Sequence, residues 1–181
     1  HTPGYVKLIL STAEKDFTTL ASDTFVSSKS YLAAWLAVGG CVKGIDALFA
    51  DQVRTCFCLG RPPGHHALTH RAGGFCIFNN LGVAAKYAQE KYGVERILII
   101  DWDIHHGNAL QDLFYSDNKV LYFSTHYMGW YPNTGDWEET GALNGKGYNV
   151  NIPVPKDMDD CDVIHIYREA LTAVVKKYKP Q

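Results

Sequence analysis

Several absences narrow the field before any motif is read. There is no surplus of positive charge, since 17 Lys and Arg stand against 19 Asp and Glu for a net −2. The chain therefore offers no basic face to nucleic acid and no polybasic surface to an anionic membrane. No uninterrupted apolar run approaches the roughly 20 residues that a membrane-spanning helix needs. The opening HTPGYVKLIL has neither a basic start nor a sustained apolar core, so it does not read as a signal peptide. Cys41, Cys56, Cys58, Cys76 and Cys161 are scattered and form no Cys-x-x-Cys pair. They read as buried, reduced thiols of a cytoplasmic protein, or a nuclear one in a eukaryote. There is no repeat and no low-complexity linker.

What remains is a chain of ordinary globular composition, 46% apolar and 20% charged over 181 residues, large enough for one α/β domain. The order of elements is informative. SSKSYLAAWLAVGGCVKGIDALFA reads as a helix opened by Ser27 or Ser28, and TCFCL as a short buried strand. A Gly- and Pro-rich loop follows, and Asn79 or Asn80 can cap the helix LGVAAKYAQEKY, which Gly93 ends. RILII is the next strand, NALQDLFY a short helix, KVLYFS a strand, and a long loop runs from His126 to about Gly147. YNVNIP is a further strand, and CDVIHIYREALTAVVKKY an amphipathic helix. The alternation predicts an α/β fold with a parallel sheet and helices on both faces, its ligand site at the carboxyl ends of the strands. The pattern calls for another strand after the last helix and starts abruptly, so a domain truncated at both ends is expected.

Two clusters carry chemistry. In ILIIDWDIHHGN a hydrocarbon run ends in acids and imidazoles, which are costly to bury without compensation. If the strand stays extended through Ile104, Asp101, Asp103 and His105 project to one side and Trp102, Ile104 and His106 to the other. Carboxylate oxygens with an imidazole nitrogen suit Zn²⁺ or Fe²⁺ better than Ca²⁺ or Mg²⁺. The competing reading is a satisfied polar pair of Asp103 with His105. The second cluster is RPPGHH, where prolines stiffen the loop, Gly64 allows a close backbone approach, and two adjacent histidines suit acid–base work. Asp101 and Asn108 are candidate acceptors to orient those histidines.

RPPGHHA, GGFCIFNN and IDWDIHHGN, in this order, resemble the consecutive signatures of the zinc-dependent histone deacetylase family, which includes bacterial acetylpolyamine amidohydrolases. The Asn of HHGN and the Trp of DWD resemble the class II and bacterial branches. The resemblance implies an arginase/deacetylase-like fold, with residues 1–181 forming part of a single catalytic domain. It implies zinc held by Asp103 and His105, with His66 as general base, His65 held by Asp101, and Asn108 orienting His66. Gly74, Phe75 and Tyr131 would line the acyl-lysine tunnel. Structural potassium would lie at Asp101, Asp103 and His105 with Ser124 and Thr125, and a second potassium near Phe114, Val120 and Tyr148. The family's third zinc ligand, an aspartate, and its transition-state tyrosine would lie beyond Gln181. Asp159, Asp160 and Asp162 read as partners of a helix N-terminus instead.

The implied activity is hydrolysis of the acetyl amide of acetyl-lysine, in a histone or another protein, or of an acetylpolyamine. No nucleic-acid or membrane partner is expected, and a homo-oligomer is compatible. The loop from Tyr127 to Gly145, with Trp130, Tyr131, Trp137, Glu138 and Glu139, could attract a cationic amine or be an ordinary solvated loop. Two alternatives stand beside this reading. A two-metal ureohydrolase needs more carboxylates than DWDIHH provides. A catalytically incomplete module that binds acyl-lysine or another protein is the other.

Overall fold

Thr2 opens helix α1 (Pro3–Leu10), accepting the N–H of Tyr5 on its hydroxyl at 3.3 Å, and Pro3 occupies the first turn, where a missing N–H is harmless. This helix lies in the first of two compact units, His1–Gly93 and Val94–Gln181, of a computed structural model that describes all 181 residues. In the first unit Tyr5 and Ile9 of α1 pack with Val26, Ala34, Ala72, Ile77 and Phe78 as one buried cluster. The Tyr5 hydroxyl is satisfied by the carbonyl of Ile77 at 2.7 Å. Strands β1 (Thr18–Ala21) and β2 (Thr24–Val26) form an antiparallel hairpin.

Helix α2 (Ser30–Phe49) begins later than expected, and no side chain of Ser27 or Ser28 caps it. The hydroxyl of Ser30 instead accepts the N–H of Ser27 at 3.0 Å. With 20 apolar-rich residues, α2 is long enough and apolar enough to cross a membrane, which the interrupted apolar runs did not suggest. It buries Ala34, Ala37 and Gly44 and leaves Leu32, Trp35, Leu36 and Phe49 exposed. Its Asp46 is gripped from helix α3 (Asn80–Tyr92) by the hydroxyls of Tyr87 and Tyr92 and the ammonium of Lys91, at 2.7–2.8 Å. The ends of α3 are as predicted. Asn79 accepts the N–H of Gly82 at 2.9 Å, and Gly93 closes the helix in the left-handed region at φ 67°.

TCFCL is not a strand. It joins no ladder, and Phe57 and Leu59 are 87% and 92% exposed. No strand of its unit runs beside it, and a strand exists only through its neighbour. Cys56 and Cys58 turn toward α2, where the Cys58 thiol stands 3.6 Å from the carbonyl of Gly40. All five cysteines are free, as expected, but only Cys76 is buried, and Cys56, Cys58 and Cys161 are exposed.

The second unit is built on a parallel sheet of order β3-β4-β5, with β3 Ile97–Asp101, β4 Val120–Tyr127 and β5 Asn149–Val154. The crossover from β3 to β4 carries α4 (Asn108–Phe114), which buries Ala109, Leu110 and Phe114. Central β4 is fully apolar or buried from Val120 to Ser124 and runs through Tyr127, so the long loop starts two residues later than His126. The last helix is interrupted, since α5 (Asp160–Ile166) and α6 (Thr172–Tyr178) are joined by a π-helical turn, Tyr167–Leu171. Asp159 and Asp162 form a reciprocal capping box at its start, as the acidic run predicted.

Candidate active site

The acidic end of β3 does not stay extended. Asp101 accepts the N–H of Asp103 at 3.2 Å, and Asp103 accepts the N–H of His105 at 2.8 Å. Two successive carboxylates thus satisfy the backbone two residues on, which turns the chain out of the strand. The expected alternation through Ile104 is therefore lost. Asp101 is buried, whereas Asp103 and His105 come to the surface together. On the other set, Trp102 and Ile104 are exposed but His106 is buried.

Asp103 Oδ1 and His105 Nδ1 stand 3.1 Å apart. Two neighbouring ligands of a tetrahedral zinc, with bonds of 2.0–2.1 Å, are separated by about 3.3 Å. The pair is hydrogen-bonded, as the competing reading of the sequence expects, and its separation also lies close to that of two zinc ligands. No group of three or more His, Cys, Asp or Glu side chains in the chain is arranged to hold a metal.

Asp101 is held from below by a residue the sequence did not single out. The hydroxyl of Tyr122, on β4, donates to Asp101 Oδ2 at 2.9 Å and accepts the N–H of Gly107 at 3.1 Å. Gly107 immediately precedes Asn108, the first residue of α4. One buried phenol thereby fixes Asp101 and the start of the helix that presents Asn108. Burial and the carboxylate raise the Tyr122 pKa well above its usual value, so it stays a donor. Ser124 faces Asp101 across the ladder, and its hydroxyl bonds His126 Nδ1 at 2.9 Å. The Thr125 hydroxyl bonds that of Tyr167 at 2.8 Å.

Beside these lies a buried polar cluster. His106 bonds Thr134 through Nδ1 at 2.8 Å and Gln111 through Nε2 at 3.2 Å. His126 meets the carbonyl of Gly135 at 2.9 Å, with the two imidazoles 4.6 Å apart. Burial pushes His106 down to about 4, helped by His126, and lowers His126 as well. Both are neutral at neutral pH. Glu139, offered above as an attractor for a cationic amine, is turned inward to the side-chain amide of Gln111 and the N–H of Gly135. Tyr131 and Trp130 both set their rings edge-on to His105 at 6.1 Å, and Lys156 covers the Trp130 face at 4.4 Å.

In the first unit, the RPPGHH loop is braced as its prolines and glycine suggested. The Asn80 side chain donates to the carbonyl of Pro62 at 3.0 Å. A Cβ on Gly64 would stand 2.5 Å from the Asn80 nitrogen, so only glycine allows this approach. The His65 and His66 rings lie 4.0 Å apart, and His66 is buried. Gly74 backs onto His66, for a Cβ there would stand 2.2 Å from the imidazole. Phe75 is 64% exposed and Tyr131 39% exposed, so neither is a core aromatic.

The histone deacetylase domain profile matches residues 1–181, the whole chain. The chain belongs to the histone deacetylase family. It is 40% identical to a protein described as a probable deacetylase from Archaeoglobus fulgidus, over all of this chain and 50% of that protein. It is 37% identical to polyamine deacetylase HDAC10 of Danio rerio, over 91% of this chain and 25% of that protein. A crystal structure of the HDA15 HD domain superimposes with a TM-score of 0.96 at 38% identity, over 99% of this chain and 53% of that one. The chain thus spans about half or less of these relatives' lengths, and its fold is the arginase/deacetylase-like one.

Sequence reasoning missed three residues: Tyr122 reads only as part of the strand KVLYFS, and Asp23 and Thr24 draw no reading at all. Their partners are 15 to 51 positions away, so no local spacing announces them.

Proposed function

We propose that the full-length protein is a zinc-dependent deacetylase of acetyl-lysine or of an acetylpolyamine. The observation that supports this most is the Asp103–His105 donor pair, 3.1 Å apart, in a chain that also carries adjacent histidines with His66 buried. Asp103 and His105 would hold the metal. The third ligand would come from the part of the domain that the relatives have and this sequence does not include. Zinc there would polarise the acetyl carbonyl and lower the pKa of the attacking water.

The chain's own residues do the proton work. His66 takes the proton of the attacking water on an imidazole nitrogen, and Asn108 orients its ring. Asp101, fixed by Tyr122, holds His65, and one of the tandem histidines returns a proton to the leaving amine. Gly74, Phe75 and Tyr131 exclude water from the acyl-lysine stem. A structural potassium would be held by Asp101, Asp103 and His105 with Ser124 and Thr125, where it would supply structural charge and no step of the reaction. The exposed free thiols favour a reducing compartment, the cytoplasm or nucleus.

The test is acetate release by the full-length protein from an acetyl-lysine peptide and from acetylspermidine. Turnover should fall on zinc chelation, and by about 10² to 10⁴ in His66→Ala. Acetate release that survives both would overturn the proposal, and ligand binding with no turnover would favour an acyl-lysine-binding module.

A further inference from the structure

The turn between β1 and β2 ends in Asp23 and Thr24, and hairpin geometry does not account for how they are used. Both carboxylate oxygens of Asp23 accept the N–H of Gly74, at 3.1 Å each. The Thr24 hydroxyl donates to Asp23 Oδ1 at 2.8 Å and accepts the N–H of Phe75 at 3.1 Å. One Asp–Thr dipeptide therefore holds two successive amides 51 residues further along the chain.

Those amides need holding. Gly74 and Phe75 both adopt left-handed backbone, at φ 53° and 65°. A residue with a bulky side chain rarely takes that conformation unless its surroundings impose it. Gly74 is pressed against the His66 ring, closely enough that no Cβ fits between them. Phe75 is turned outward and lines, with Asp23, Thr24, Phe25 and Pro62, a cavity of about 410 Å³. The clamp thus sets two things together, the backing of His66 and the direction of the Phe75 ring.

We propose that Asp23 and Thr24 are positioning residues for deacetylation, fixing the Gly74–Phe75 wall against which His66 and the acyl-lysine stem are placed. This rests on the function proposed above. Neither residue touches the reacting atoms; both act through the loop they hold.

Hydrogen exchange and kinetics on the full-length protein test this separately. In the wild type the Gly74 and Phe75 amides should be protected. Asp23→Ala should speed exchange at Gly74 at least about tenfold, and Thr24→Val at Phe75, with α3 amides unchanged. The kcat of both variants should fall about 10- to 100-fold with KM changed far less, as for a small misplacement of a catalytic group. Asp23→Asn, which keeps one acceptor oxygen, should recover part of the loss. Exchange at open-loop rates in the wild type, or faster exchange in the variants with kcat intact, would overturn the proposal. A wild type that releases no acetate would refute the proposed function instead, and the exchange rates would then decide the clamp alone.

Discussion

Replacing Tyr122 with phenylalanine removes a single oxygen and tests how Asp101 is held. The hydroxyl is buried and makes two bonds, donating to Asp101 Oδ2 at 2.9 Å and accepting from Gly107 N–H at 3.1 Å. A hydrogen bond to a charged group contributes about 1.5–3 kcal/mol and a neutral one about 0.5–1.5 kcal/mol. The ring itself stays, so no large cavity opens and the packing term is small. Tyr122→Phe should therefore lose about 2–4 kcal/mol in chemical denaturation. Because Asp101 keeps its bond from the Asp103 N–H, the lower half of that range is expected. In the full-length protein the same change should lower the proposed acetate release, since Asp101 loses one of its anchors. A loss of stability below about 0.5 kcal/mol, within the range of surface substitutions, would refute this account of the buried phenol.

Gly74→Ala should cost about 1–3 kcal/mol and most of the activity, because its Cβ meets the His66 ring and its φ is left-handed; a normal unfolding midpoint with normal turnover would contradict this. Acidification should destabilise the second unit through His106 and His126. Both are held neutral by burial, so their contribution is complete above the unfolded pKa of 6.5 and is lost as pH falls below it. With His106 at about 4, roughly 2 kcal/mol should be gone by pH 5, read as a lower urea midpoint, and a flat midpoint from pH 7.5 to 5 would argue against it. Asp159→Ala breaks the capping box at an exposed helix start and should cost about 1 kcal/mol, with no effect on turnover.

Helix α3 and the parallel strands were legible because their determinants are local. Asn79 and Gly93 mark the ends of α3 by their own chemistry, and β3, β4 and β5 are runs of apolar residues between turn residues. Asp103 and His105 were legible as a pair for the same reason, although the strand was read as running on through Ile104. The carboxylates themselves turn the chain there, and a period-two argument does not contain that competition for backbone N–H groups. TCFCL failed for the opposite reason. Its composition is that of a strand, but strand identity belongs to a pair, and the pairing partner is not a property of those five residues. Burial of Cys56 and Cys58 was misjudged with it. Asp23, Thr24 and Tyr122 act across long sequence separations, and only the folded chain shows what they hold.

The most direct test of the central claim is the zinc content of the purified full-length protein and of its Asp103→Ala and His105→Ala variants, without added metal. The account predicts about one tightly held zinc per chain in the wild type, lost or greatly weakened in each variant, because each removes one of three protein ligands. Zinc retained at full occupancy in both variants would contradict it, and the Asp103–His105 pair would then be a surface hydrogen bond with no metal to hold.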